Sequence, residues 1–125
     1  MNVVDTSGWV EYFAGGTNAK FFMPPVRDSE NLLIPSICIY EVFKRLTLDM
    51  GEENALQAVG IMSHGHLVEL NRKIAMDAAQ ISLELKLAMA DSILLAAARE
   101  YDATPWTPDA HFKGMDGVKY IEKKS

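Results

Sequence analysis

The sequence predicts a three-layer α/β/α fold with a central, mainly parallel sheet. Short apolar segments alternate with longer helical segments along the chain. Strands that are joined by helical crossovers form largely parallel sheets with helices on both faces. The 125 residues, 49% of them hydrophobic and 23% charged, are enough for one core but too few for two. We therefore expect a single domain over residues 1–125.

The individual elements follow from local composition. Five short apolar segments are predicted strands, at residues 2–5, 32–35, 67–70, 103–107 and 118–121. Helical segments cover residues 36–50, 52–62, 72–85 and 91–101, and Gly51 separates the first two. In a sheet of this kind the functional crevice lies beyond the carboxyl ends of the strands.

Two polar residues mark expected helix starts. Ser36 follows Pro35 and is in position to cap the helix that carries Glu41. Asp91 is in position to cap the helix over residues 91–101, where its negative charge would suit the positive end of the helix.

Aromatic residues are concentrated before the second strand. Trp9, Tyr12 and Phe13 have the spacing of one helix face, and Phe21 and Phe22 follow shortly after. Core packing is the default interpretation of such residues. Alternatively, some of them line an apolar groove for a partner helix, or stack unpaired bases near an acidic site.

Charge and cysteine content restrict the function classes. The net charge of −5 argues against a broad nucleic-acid-coating surface. It does not exclude a nuclease, because bound divalent cations would offset an acidic site. The one cysteine, Cys38, lies between two isoleucines and is interpreted as a small buried hydrophobic residue; without a disulfide, a cytoplasmic protein is expected. No apolar run approaches the ~20 residues of a membrane span, so no membrane association is expected.

Four acidic residues lie where a short apolar strand meets a turn or a helix: Asp5, Glu41, Asp91 and Asp109. Singly, each has an ordinary interpretation as a turn residue, a helix cap or a solvated side chain. Together at one edge of a sheet they would repel strongly unless a cation lay among them. Hard oxygen ligands are what Mg²⁺ or Mn²⁺ needs. The sequence therefore predicts a metal-dependent hydrolase of phosphate esters.

The segments around these carboxylates also resemble the motifs of the PIN domain. The matching segments are residues 4–7, residues 35–36 with 40–42, residues 90–98 and residues 106–112. More narrowly, the chain is similar to the VapC toxins of bacterial and archaeal toxin–antitoxin pairs. The resemblance runs from the first strand to the last.

This resemblance implies a parallel sheet flanked by helices, dependence on Mg²⁺ or Mn²⁺, and endoribonuclease activity in which metal-activated water hydrolyses RNA. The acidic positions of the family, which are catalytic and bind the metal, match Asp5, Glu41, Asp91 and Asp109. Thr107 matches a Thr-x-Asp element whose hydroxyl would contact metal-bound water or phosphate, and Ser7 is a weaker candidate nearby. The implied partners are an RNA substrate, a small antitoxin protein with a basic segment, and a second copy of the chain in a homodimer.

The chain departs from the resemblance at His111, where many members of the family carry a further Asp. A metal site of five carboxylates is thus in doubt, and His111 either binds phosphate or lies at the surface. Lys44 and Arg45, three and four residues after Glu41, either steer RNA phosphates or form an intrahelical ion pair.

Two rival functions remain beside the endoribonuclease. A non-catalytic PIN-like binding module would keep the acidic pocket only to hold a cation or a basic peptide. A phosphatase of the haloacid-dehalogenase type also places an Asp after its first strand. That chemistry needs a second Asp two residues further on, where this chain has Ser7.

Overall fold

Over residues 1–123, the part of the chain that the computed structural model describes, five parallel strands form one sheet. The strands are β1 (Asn2–Val4), β2 (Leu32–Pro35), β3 (His66–Val68), β4 (Thr104–Thr107) and β5 (Lys119–Tyr120). Their order is β3-β2-β1-β4-β5, and every neighbouring pair is parallel.

Six helices flank the sheet within the same residues. They are α1 (Thr6–Ala14), α2 (Ala19–Arg27), α3 (Ser36–Met50), α4 (Glu52–Met62), α5 (Arg72–Leu85) and α6 (Met89–Glu100). Helix α1 packs on α2 and α3, α3 packs on α4, and α5 packs on α6. The predicted three-layer α/β/α fold is confirmed. Among these helices, none combines the length and apolar character that a membrane span requires.

The core is built where apolar strands meet apolar helix faces. Both β2 and residues 92–98 of α6 are buried along their whole length. Trp9 and Phe22 are fully buried, so these two aromatic rings belong to the core and do not line a groove. Cys38 is buried as expected, and burial raises the pKa of its thiol, which favours the neutral form.

Both predicted helix caps are wrong. Helix α3 begins at Ser36, with Pro35 as its N-cap and without a capping hydrogen bond from a side chain. Because extended Pro35 is already the last non-helical residue, Ser36 falls inside the helix. Helix α6 begins at Met89 after an extended Ala88, so Asp91 is its third residue and not its cap.

The element boundaries also differ in places from the sequence prediction. The third strand begins at His66, not at residue 67, and ends at Val68. Helix α2 lies outside the predicted helical segments, and it contains Pro24 and Pro25, residues that normally interrupt helices. Both prolines lie in the second half of α2, and burial of Pro25 and Val26 in the core helps to offset the missing backbone donors.

The connection order defines one special position in the sheet. From β1 the chain moves outward to β2 and β3, and then returns across the sheet to β4 and β5 on the other side of β1. The order therefore reverses between β1 and β4. Ligand-binding crevices of open α/β sheets lie beyond the carboxyl ends of the strands at such a switch point.

Candidate metal centre

Asp5 lies at this switch point, directly after β1. It is the N-cap of α1, and its Oδ1 accepts a hydrogen bond of 2.7 Å from the Gly8 backbone N–H. Its own backbone N–H donates to the carbonyl of Trp106 in β4, at 3.1 Å. The side chain is buried, which fixes the carboxylate between the two strand ends.

Gly8 allows α1 to begin this close to β1. A Cβ at residue 8 would lie 2.7 Å from Val4 Cγ1 and 2.8 Å from Phe22 Cε1, inside the normal contact distance. Only glycine fits without displacing those buried side chains. The close approach is what brings the Gly8 N–H onto the carboxylate of Asp5.

Thr107 joins the end of β4 to Asp5. Its hydroxyl donates to Asp5 Oδ2 at 2.5 Å and accepts a hydrogen bond of 2.9 Å from the Asp109 backbone N–H. Asp109 in turn caps a 3₁₀ turn over Ala110–Phe112, since its Oδ1 accepts from the His111 backbone N–H at 2.9 Å. The ordinary interpretation of Asp109, a cap for the turn that follows it, is confirmed. A continuous hydrogen-bond chain thus links Asp5 to the turn.

Asp91 reaches the same place from the first turn of α6. Candidate ligand atoms of Asp91, Asp109 and His111 all lie within 4.8 Å of one another. His111 Nδ1 is 3.0 Å from Asp109 Oδ1. The His111 side chain is 72% exposed, so it lies at the surface as expected, but it also borders the acidic cluster.

Burial and like charge both raise proton affinity in this cluster. Burial, more than any other cause, raises the pKa of Asp5 to about 7, against the hydrogen bonds from Thr107 and Gly8, and the charges of Asp91 and Asp109 add to the effect. The pKa of Asp91 is raised to about 6, first by burial and then by the charge of Asp109. Without a cation, these carboxylates are costly to ionise together.

Glu41 is not one of the three grouped residues Asp91, Asp109 and His111, although its charge helps to raise the pKa of Asp91. Its Oε1 accepts a 2.6 Å hydrogen bond from the Thr6 hydroxyl, and both side chains line a groove with a volume of about 390 Å³. Ser7 lies on the same groove wall. Thr6 was not among the predicted site residues, although a hydroxyl directly after Asp5 at the start of a helix is a usable signal.

Lys44 and Arg45 also line this groove, but neither is held by Glu41. Arg45 Nε pairs with Asp49 at 2.9 Å, and Lys44 Nζ lies 5.8 Å from the centre of the Tyr40 ring. Arg45 thus forms an intrahelical ion pair, but with Asp49 and not with Glu41, the residue from whose spacing the pair was predicted.

The donors of this site fit a divalent cation. The carboxylate oxygens of Asp91 and Asp109 are ligands that Mg²⁺ and Mn²⁺ prefer, and the imidazole of His111 is compatible with Mn²⁺ and later transition metals. Asp5 is not one of these three grouped residues, and its two oxygens accept hydrogen bonds from Gly8 and Thr107. A bound cation would also offset the like charges that add to the effect of burial on the pKa values of Asp5 and Asp91.

This combination of a parallel α/β sheet and an acidic cluster at its switch point agrees with the family match. Residues 3–118 match the model of the PIN domain, so the chain belongs to the PIN domain family. The predicted family is thereby confirmed, and membership supports a nuclease role. No curated protein matches this sequence significantly.

Several solved structures share the fold over nearly the whole chain. A toxin–antitoxin complex from Klebsiella pneumoniae has a TM-score of 0.82 at 23% identity, covering 98% of this chain and 100% of that chain. VapC20 of Mycobacterium tuberculosis, a toxin that cleaves the sarcin-ricin loop, has a TM-score of 0.77 at 16% identity, covering 95% and 98%. DNA-bound VapBC from Salmonella typhimurium has a TM-score of 0.72 at 17% identity, covering 98% of each chain. At these identities the similarity establishes the fold.

Proposed function

We propose that this protein is a cytoplasmic, metal-dependent endoribonuclease, the toxin component of a toxin–antitoxin pair. The observation that carries the proposal is the pair of Asp91 and Asp109, whose candidate ligand atoms lie close together, beside the buried Asp5 at the switch point, with the pKa values of Asp5 and Asp91 raised. Membership of the PIN domain family supports the same activity, as does the fold shared with toxins of known structure.

Asp5, Asp91 and Asp109 would hold Mg²⁺ or Mn²⁺, with Glu41 contributing from the groove side. The bound cation would polarise the scissile phosphate and lower the pKa of a coordinated water. Thr107 acts through Asp5, because its hydroxyl holds Oδ2 of that carboxylate in place. Thr6 holds one oxygen of Glu41, which leaves the other oxygen able to orient a water molecule or a ribose hydroxyl.

The groove beside Glu41 has the character of a path for the RNA backbone. Lys44, Arg45 and Lys123 bring three cationic side chains to its walls, next to the acidic site. The pair of Arg45 with Asp49 is exposed, and exposed ion pairs are weak, so phosphate can compete for the guanidinium. Glu11 and Glu41 also line the groove, so its charge is mixed, and three local cationic side chains are compatible with a net charge of −5.

An apolar groove of about 490 Å³ between α3 and α4 supports an antitoxin partner. Ile39, Phe43 and Val59 line it, and it shares Tyr40 and Leu48 with the groove beside Glu41. A helix of the antitoxin would dock in the apolar part. Its basic segment would then reach the carboxylates, where an Arg can offer paired donors and compete with the metal.

Exposed apolar side chains on α5 and α6 support the proposed homodimer. Met76 and Leu83 project from α5, and Met89 is exposed at the start of α6. An apolar hollow of about 340 Å³ between these two helices lies beside Met89. A second copy of the chain would cover this surface.

Cleavage of RNA by the purified protein tests the proposed activity. Total bacterial RNA and a sarcin-ricin loop fragment should be cut in Mg²⁺ or Mn²⁺, and cutting should stop in chelator and return when either ion is restored. Ca²⁺, which accepts looser geometry, should bind but support cleavage poorly. Undiminished cleavage after complete chelation would contradict the proposal. Metal binding without cleavage of any RNA would favour the non-catalytic module.

A further inference from the structure

His111 brings a nitrogen donor to the edge of the acidic cluster. Its Nδ1 lies 3.0 Å from Asp109 Oδ1, and candidate ligand atoms of His111, Asp109 and Asp91 are mutually within 4.8 Å. Two neighbouring ligands of an octahedral ion with bonds of about 2.1 Å lie about 3 Å apart. The spacing between the imidazole and the Asp109 carboxylate is thus that of two ligands on one ion.

The local backbone keeps His111 at this position. Asp109 caps the 3₁₀ turn over Ala110–Phe112 through the His111 backbone N–H, so the two side chains emerge from one tight turn. Phe112, the last residue of the turn, is fully buried and anchors it to the core. The imidazole is therefore presented next to Asp109 although most of its own surface is exposed.

The same spacing of 3.0 Å also fits a hydrogen bond from a protonated Nδ1 to Asp109. Such a bond would be made to one carboxylate only, and the half-buried Asp91 would feel the charge of a protonated His111 without a bond to it. An ion between the three side chains satisfies both carboxylates at once. An imidazole ligand is also well suited to transition metals, whereas Mg²⁺ prefers oxygen donors and gives up its water reluctantly.

We propose that His111 is a metal ligand together with Asp91 and Asp109, and that this nitrogen donor makes the site select Mn²⁺ over Mg²⁺. The inference rests on the proposed function in one respect, since it takes Asp91 and Asp109 as the residues that hold the ion. It adds a nitrogen donor to the proposed carboxylate ligands and names the preferred metal.

Electron paramagnetic resonance of Mn²⁺ bound to the full chain reports the donor directly. Electron spin-echo modulation should show nitrogen coupled to Mn²⁺, and the coupling should change its frequencies when the histidines are labelled with ¹⁵N. The signal should disappear in His111→Asp and in His111→Asn, the second of which keeps an amide donor for a hydrogen bond to Asp109. His64→Asn, a change at another exposed histidine, should leave the signal intact.

Competition binding between Mn²⁺ and Mg²⁺ measures the metal selectivity of the site. The ratio of Mn²⁺ to Mg²⁺ affinity should fall roughly tenfold in His111→Asp, because an oxygen donor replaces nitrogen. Mn²⁺ that binds the natural chain without nitrogen coupling, or an unchanged ratio in His111→Asp, would overturn the assignment of His111 while metal-dependent cleavage still stood. A natural chain that binds no Mn²⁺, or that cleaves RNA in chelator, would overturn the proposed function as well.

Discussion

Replacing Asp5 with Asn should stabilise the metal-free protein at alkaline pH, although the change removes a carboxylate that we propose as a metal ligand. The folded-state pKa of Asp5 is about 7, above its ordinary value of 3.8, mainly because the side chain is buried. The folded state therefore keeps its proton to higher pH than the unfolded chain does. Stability from this residue is fully present below pH about 4, decreases as pH rises from about 4 to about 7, and stays low above that.

The size of the effect follows from that difference in pKa. A tenfold difference in proton affinity is worth about 1.4 kcal/mol, so ionisation of Asp5 lowers the free energy of unfolding by about 4 kcal/mol at pH 8. The amide of Asn can keep the bond from the Gly8 N–H, and the Thr107 hydroxyl can rotate to accept from the amide NH₂. Since relaxation weakens burial effects, we expect a measured gain of about 2–4 kcal/mol.

Urea denaturation followed by circular dichroism, in chelator at pH 4 and pH 8, measures this gain. Asp5→Asn should exceed the natural chain in stability at pH 8 and match it closely at pH 4. Asp116→Asn, at an exposed carboxylate, is the control and should change stability little at either pH. Adding Mn²⁺ should stabilise the natural chain more than Asp5→Asn. A variant that is less stable than the natural chain at pH 8 in chelator would refute the reasoning.

Three further substitutions test the parts that hold the site. Thr107→Val keeps the shape but leaves the buried carboxylate at the end of β1 without its hydroxyl donor, which should cost about 1–3 kcal/mol in urea denaturation. Gly8→Ala should cost a similar ~1–3 kcal/mol, because the added methyl collides with Phe22; an unchanged midpoint would contradict the packing argument. Thr6→Val should reduce RNA cleavage but leave the melting temperature within a few degrees, since it releases the partly exposed Glu41 and removes only one further, weak contact with the Cys38 thiol. Equal loss of both would point to a structural role instead.

Some of the site could be predicted because strand ends are visible in the sequence. Asp5 and Asp109 each follow an apolar strand, and parallel strands end at one edge of a sheet. The role of Asp91 as a cap was wrong, because the helix start depends on the extended Ala88 and not on which polar residue comes first. His111 borders the cluster because a tight turn, anchored in the core, holds it there. The spacing of residues in the sequence does not predict such a turn.

The fold was more predictable than the packing on its surface. Alternating apolar and helical segments gave the parallel sheet, whose strands are paired as expected from helical crossovers. The aromatic residues near the N-terminus offer one possible apolar groove, but two of them, Trp9 and Phe22, are fully buried. The observed groove lies between α3 and α4, because the i, i+4 pair Ile39 and Phe43 faces outward toward Val59.

The rate of RNA cleavage by Asp91→Asn in Mn²⁺ tests the central claim most directly. An amide is a poor ligand for a hard cation, and loss of charge stabilisation at a reacting phosphate typically costs about a hundredfold or more in rate. We expect Asp91→Asn to lose at least that much activity with an unchanged circular dichroism spectrum, whereas Asp116→Asn should cleave at the natural rate. Full activity in Asp91→Asn would contradict the assignment of the acidic cluster as a catalytic metal centre.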